Sequence, residues 1–354
     1  MTRSVAHMMA TGSLGAVFLV VIMSNADGQT RRPTLGRIER LDPALDSIVA
    51  LDAKMEVIAN GFDWTEGPLW VKADGGQLLF SDIPPNRILS WQDGRGTQIY
   101  LEQSGYLGPI PRPNNIPPDE PGSNALGLDP QGRLVLCQHG NRQVARMDAP
   151  LSKPKAKYIP IADRYEGKRL NSPNDLVYSK DGSLYFTDPP YGLTRKMEDP
   201  DKQLDFQGVY RVGRDGQMTL LTKELSRPNG IAFSPDQKTL YVANSDAARA
   251  IWMAYDVKPD GTIANGRVFF DATSWVGPEK KGLPDGMKVD TQGHLFATGP
   301  GGVHIYAPDG TLLGRVDTGR ATANCAFGGD GSDLYITAGT YIVRIRTRTK
   351  GAGL

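Results

Sequence analysis

Short apolar runs separated by polar turn residues recur from about residue 54 to the end of the chain, and none keeps a 3.6-residue period over the length of a helix. Aligned on the first polar residue of each run, they form a repeat: Asn, Asp or Glu, a small residue, an apolar run, a D/S-x-x-G turn, then a second apolar run. It reads NALGLDPQGRLVLC from Asn124, NDLVYSKDGSLYFT from Asn174 and NGIAFSPDQKTLYVA from Asn229. DGMKVDTQGHLFA from Asp285, NCAFGGDGSDLYIT from Asn324 and EGPLWVKADGGQLLFS from Glu66 share its shape.

Each unit goes on with further strand-like runs. After Asn174 these are SLYFTD, GVYRV and MTLLT, split by turns such as RDG at 214–216. Four short strands per unit joined by Asx-Gly turns predict a hairpin meander, and six such units predict an all-β, six-bladed β-propeller. The last unit holds only CAFG, DLYITA and YIVRIR; the missing fourth strand is available as KMEVIAN at 54–60. A last blade closed by this N-terminal strand leaves no free edge, and the propeller is expected over 54–350.

Composition supports many turns, with 41 Gly and 26 Pro. Lys+Arg 40 against Asp+Glu 39 gives no basic face and argues against nucleic acid as a partner. Residues 1–26 combine Arg3, an apolar stretch from Leu14 to Met23 and Ser-Asn-Ala at 24–26, the pattern of a cleaved signal peptide. The apolar stretch is too short to span a bilayer, so the expected product is periplasmic or secreted and free of the membrane after cleavage; an N-terminal anchor is the alternative. Residues 27–53 read as a mobile lead-in without a pattern. Cys137 and Cys325 lie in apolar runs and read as two buried small hydrophobes rather than a disulfide framework.

In a propeller the first strand of every blade lines the central channel, so the first position of all six units converges on one mouth. Glu66, Asn124, Asn174, Asn229, Asp285 and Asn324 stand there; all offer oxygen, and none is Lys, Arg, Cys or His. Asx residues also cap turns, which is the competing explanation for any one position. Six in register, one of them a Glu, point instead to a hard divalent cation: Ca²⁺, with Mg²⁺, Mn²⁺ and Zn²⁺ as alternatives. Asn124 and Asn324 are the two expected to lie outside the inner set.

WTEGPLW at 64–70, SPNDLVY at 172–178, RPNGIAF at 227–233 and LPDGMKV at 283–289 resemble the gluconolactonase, senescence marker protein and luciferin-regenerating enzyme family over about residues 55–345. SGYLG at 104–108, CQHGNRQVAR at 137–146 and FTDPPYGL at 186–193 resemble its bacterial and fungal gluconolactonase branch. The resemblance implies a six-bladed propeller with one divalent metal held by Glu66, Asn174, Asn229 and Asp285, and hydrolysis of a sugar lactone such as glucono-1,5-lactone.

Lactone opening needs a polarised carbonyl, a deprotonated water and a stabilised oxyanion. Asp285 and Glu66 are the expected catalytic carboxylates, with Asp285 beside the metal orienting or deprotonating water. No G-x-S-x-G or H-E-x-x-H signature competes. His139, Asn124, Asp188, Tyr191 and Arg142 are the expected substrate contacts, and the Pro-rich stretch 107–123 an expected lid. Two rival functions remain: an aryl-ester or organophosphate hydrolase using the same site, and a non-catalytic propeller that binds a protein or glycan.

Overall fold

The computed structural model of the chain describes residues 32–109 and 119–353. The expected signal peptide and the core of the expected lid, 110–118, lie outside them.

The chain is a six-bladed β-propeller, each blade built on an antiparallel four-stranded sheet; in blades 1 to 4 the four strands follow in sequence order. The innermost strands are Thr65–Val71, Ser123–Leu128, Leu176–Tyr178, Pro228–Phe233, Met287–Val289 and Asn324–Gly328 for blades 1 to 6. Each neighbours the next all the way round. The second strands carry the repeat's second apolar run and are buried along nearly their whole length, because both faces of a blade pack on other blades. The outermost strands, such as Gly96–Glu102, are largely exposed.

The core is divided among the blade interfaces. Leu78, Phe80 and Trp91 of blade 1 pack on Tyr335 and Ile342 of blade 6, and Trp70 stacks on Tyr335 with centroids 5.4 Å apart. Burying a side chain of this kind contributes about 2 kcal/mol, so every interface adds to closing the ring. The last blade is completed as expected: Glu56–Asn60 pairs antiparallel with Tyr341–Arg346, Glu56 opposite Arg344.

One expectation is corrected. From Thr34 onward the segment read as a lead-in belongs to the fold. Arg37–Arg40 adds a fifth strand to blade 5 against Leu312–Asp317. The 3₁₀ turn Pro43–Ser47 then drops Leu45, with Ile48 and Val49 after it, into the core between blades 5 and 6. A four-residue edge strand and a single helical turn are too short to show a period, which is why the pattern was invisible.

Candidate functional site

The inner strands all start at one mouth of the channel, and there the six leading residues gather. Glu66, Asn124, Asn174, Asn229 and Asp285 line a cavity of about 450 Å³ with Tyr191, Trp64, Glu120, Arg227 and Lys280. Asn324 stands behind Glu66, giving its amide Nδ2 to Glu66 Oε2 at 3.3 Å and taking the N–H of Cys325 on Oδ1.

The second strand of the blades fixes this ring in two ways. A hydroxyl near its end grips the next blade: Ser81 donates to the carbonyl of Asn124 at 2.8 Å, Thr187 to that of Asn229 at 2.7 Å and Thr298 to that of Ala323 at 2.8 Å. One residue further on, an acceptor holds the approach to the ring. Asp82 Oδ1 takes the N–H groups of Asp63 and Trp64, Asp188 those of Asn171 and Ser172, and Asn244 that of Arg227. Close backbone approach completes the arrangement: a Cβ on Gly230 would lie 2.1 Å from the carbonyl oxygen of Asp285.

Glu66, Asp285 and Asp175 bring three carboxyl groups close enough for charge on one to raise another. Burial pushes the Glu66 carboxyl up to about 8, helped by the charges of Asp175 and Glu120 and opposed by the Gly67 N–H and the Asn324 amide. Asp285 is pushed well above the usual carboxylate range by burial first and then by Glu66 and Asp175. Asp175 is raised by burial, with Lys288 as the opposing cation.

Whether a cation fits can be read from the unsatisfied oxygens. Asn124 Oδ1, Asn229 Oδ1 and Asp285 Oδ1 are buried without a hydrogen-bond partner, an arrangement that costs roughly 1–3 kcal/mol for each group. All are hard oxygen donors, and two uncompensated carboxyl groups stand among them, so the donor set suits a hard dication. Among the described residues no three His, Cys, Asp or Glu side chains are gathered in a metal-holding arrangement; a cation here would depend on the amide oxygens as well as on Glu66 and Asp285.

The expected substrate contacts divide. Asn124 and Tyr191 line the cavity, Tyr191 with its hydroxyl on the carbonyl of Ser245 at 3.2 Å. Asp188 does not: it is wholly buried, holds the approach to Asn174, and is raised to about 7 by its burial. Arg142 does not either; its Nε donates to the carbonyls of Leu170 and Asn171 and its Nη1 to that of Asp201. Both are charged residues whose partners are backbone groups distant in sequence, which no local motif reveals. His139 is fully buried below the cavity wall, with Nδ1 2.8 Å from Glu120 Oε2. Cys137 and Cys325 are buried and free. His304 is buried, and burial lowers it to about 3.

Four of these cavity-lining residues, Trp64, Glu120, Arg227 and Lys280, were not among the expected site residues. Trp64 and Arg227 were in view inside the WTEGPLW and RPNG motifs and Glu120 inside the stretch expected as a lid, while Lys280 lies in an irregular stretch with no motif.

Residues 64–340 match the family model described as the SMP-30/Gluconolactonase/LRE-like region. A gluconolactonase of Zymomonas mobilis is 42% identical over 90% of this chain and 88% of its own length. A pentonolactonase of Haloferax volcanii is 37% identical over 77% of this chain and 80% of its own. The solved gluconolactonase of Xanthomonas campestris superposes with a TM-score of 0.73 at 31% identity, covering 90% of this chain and 99% of that one. With the motifs, the six blades and the oxygen-lined mouth in agreement, the chain belongs to the SMP-30/gluconolactonase/LRE-like family.

Proposed function

We propose that the chain is a divalent-cation-dependent hydrolase that opens a sugar lactone such as glucono-1,5-lactone, with Ca²⁺ as the cation. The observation that carries this reading is the pair of buried, unpartnered oxygens, Asn229 Oδ1 and Asp285 Oδ1, set beside Glu66 in the cavity wall. The similarity to lactone-hydrolysing relatives over most of the chain supports the reaction class.

Glu66, Asn174, Asn229 and Asp285 would hold the cation, which, when bound, supplies charge to polarise the lactone carbonyl and to stabilise the oxyanion. The chain's own residues do the rest. Asp285 and Glu66 fix the site's charge, and Asp285 orients the attacking water. Tyr191 and Asn124 form the wall against which the sugar ring lies. The hydroxyls of Ser81, Thr187 and Thr298 keep the ring residues at their spacing, and positioning of this kind accounts for much of a hydrolase's rate. An exported protein is part of the same reading, supported by residues 1–26; cell fractionation checks it, and the mature chain in the cytosol would overturn it.

The reaction is tested by following glucono-1,5-lactone opening with a pH indicator against the spontaneous rate. Hydrolysis above background with CaCl₂ and its loss in EDTA are expected; no hydrolysis above background in CaCl₂ would overturn the reading.

A further inference from the structure

The three stretches that mark the gluconolactonase branch are far apart in sequence, and none of them supplies a residue of the oxygen ring. They meet at one place. A Cβ on Gly105, from SGYLG, would lie 2.0 Å from the carbonyl carbon of Gly122. A Cβ on Gly140, from CQHGNRQ, would lie 2.7 Å from the carbonyl oxygen of Pro121. Gly192, from FTDPPYGL, leaves room for His139 in the same way, since a Cβ there would be 2.8 Å from the His139 Cβ. The bonds agree: His139 N–H reaches the Gly122 carbonyl at 3.2 Å and Ser123 N–H the Ser104 hydroxyl at 3.1 Å.

What these contacts clamp is the backbone just after Glu120 and the imidazole beneath it. His139 is wholly buried, and its Nε2 has no partner. A proton on Nε2 would be a buried, unsatisfied donor, so the proton sits on Nδ1 and is donated to Glu120 Oε2 at 2.8 Å. Glu120 itself lines the cavity. Its charge is felt by Glu66, Asp285 and Tyr191, groups on three sides of the same space.

Glu66 and Asp285 are committed to a cation in the lactonase reading, and a carboxylate beside a dication is a poor proton acceptor. We propose that Glu120 is the residue that takes and returns the proton in lactone opening, and that His139 is its positioning residue; this rests on the lactonase reading. Water oxygen bonds to the lactone carbonyl carbon while one of its protons passes to Glu120 and the carbonyl electron pair moves onto oxygen. The carbonyl then re-forms, the bond from that carbon to the ring oxygen breaks, and Glu120 returns the proton to the departing ring oxygen. Lactone and water become the open hydroxy acid, with Glu120 again a carboxylate.

The full chain and its variants are assayed on glucono-1,5-lactone with CaCl₂. Glu120→Gln is expected to lose about 10²–10⁴-fold in kcat, with KM within about threefold and with the wild-type Tm rise on adding CaCl₂. His139→Ala should lose about tenfold in kcat at unchanged KM, and His139→Asn, whose amide can stand in for Nδ1–H, should regain most of it. Glu120→Gln with wild-type kcat, or without the CaCl₂-induced Tm rise, would overturn the proton-transfer role, the latter by making Glu120 a ligand. Equal kcat for the Ala and Asn variants would overturn the role of His139. A wild-type chain inert toward the lactone would remove the lactonase reading and this inference together; an active wild type beside an unimpaired Glu120→Gln removes the inference alone.

Discussion

The two ends of the channel use the same residue types to opposite effect. At the end where the first and second strands of each blade turn, carboxylates are fully engaged. Asp290, wholly buried, takes the N–H groups of Gln292 and His294 on Oδ1 and meets His294 Nδ1 at 2.7 Å with Oδ2. Asp129 accepts the N–H groups of Gln131 and Arg133 on one oxygen and the Arg133 side chain at 2.6 Å on the other. At the mouth, Asp285 Oδ1, Asn229 Oδ1 and Asn124 Oδ1 are equally buried and have nothing. The buried turn oxygens have local donors and cap the turns; the three at the mouth lack them. In sequence both are Asx residues at or near the ends of the innermost strands.

The sharpest way to break this comparison is to remove one carboxylate charge at each end. Asp285→Asn should cost about 10²–10³-fold in kcat/KM on glucono-1,5-lactone, whereas Asp290→Asn should leave kcat/KM within about twofold and lower stability by about 1–2 kcal/mol. Kinetics and chemical denaturation of both variants decide it; equal activity losses would mean that the unpartnered oxygens are not the working ones.

Backbone crowding should differ in the same sense. Gly230→Ala places a Cβ 2.1 Å from the Asp285 carbonyl oxygen, so the inner strands of blades 4 and 5 must part, at about 3 kcal/mol. Gly132→Ala, in a turn at the other end, meets no atom within 4 Å and bears only its positive φ of 74°, at about 1 kcal/mol. Denaturant midpoints for the pair measure the difference.

Opposite pH responses provide a third comparison. Glu66 in the cation-free protein is raised to about 8 from 4.5, so between those values the folded state holds a proton that the unfolded state has released. Stability must therefore fall as pH rises through that window and level off above it. Asp330, among the turn carboxylates, is lowered to about 2 by the Arg346 side chain and the Ser332 N–H; its contribution is present above the ordinary carboxylate value and is lost as pH falls toward 2. In EDTA, Tm should drop from pH 5 to pH 8, and CaCl₂ should raise Tm more at pH 8 than at pH 5. A Tm in EDTA that rises over this range would show that the mouth carboxyl groups are not protonated.

The smallest effect belongs to exposed charge. Arg133→Ala removes the half-exposed partner of Asp129 and should cost less than about 1 kcal/mol, because the turn N–H groups still satisfy the carboxylate.

Most of the fold was legible in the sequence. Strand period, Asx-Gly turns and a three-strand final unit define six closed blades, because hydrophobic alternation and turn chemistry are local properties. The short strand Arg37–Arg40 and the turn Pro43–Ser47 were not legible, since their burial is decided by blades 5 and 6 and not by their own pattern. In the site, the leading residue of each repeat was readable through its register.

The sequence by itself determined that six oxygen-bearing residues begin six equivalent strands, and so must converge on one mouth if the strands close into a ring. Only the tertiary structure decided which oxygens remain free. It turned Asp188 and Arg142 inward onto backbone groups, set Asn324 behind Glu66, and brought Glu120 onto His139 from 19 residues away. A hydrogen bond is fixed by where its partner stands in space, and those partners lie well apart along the chain.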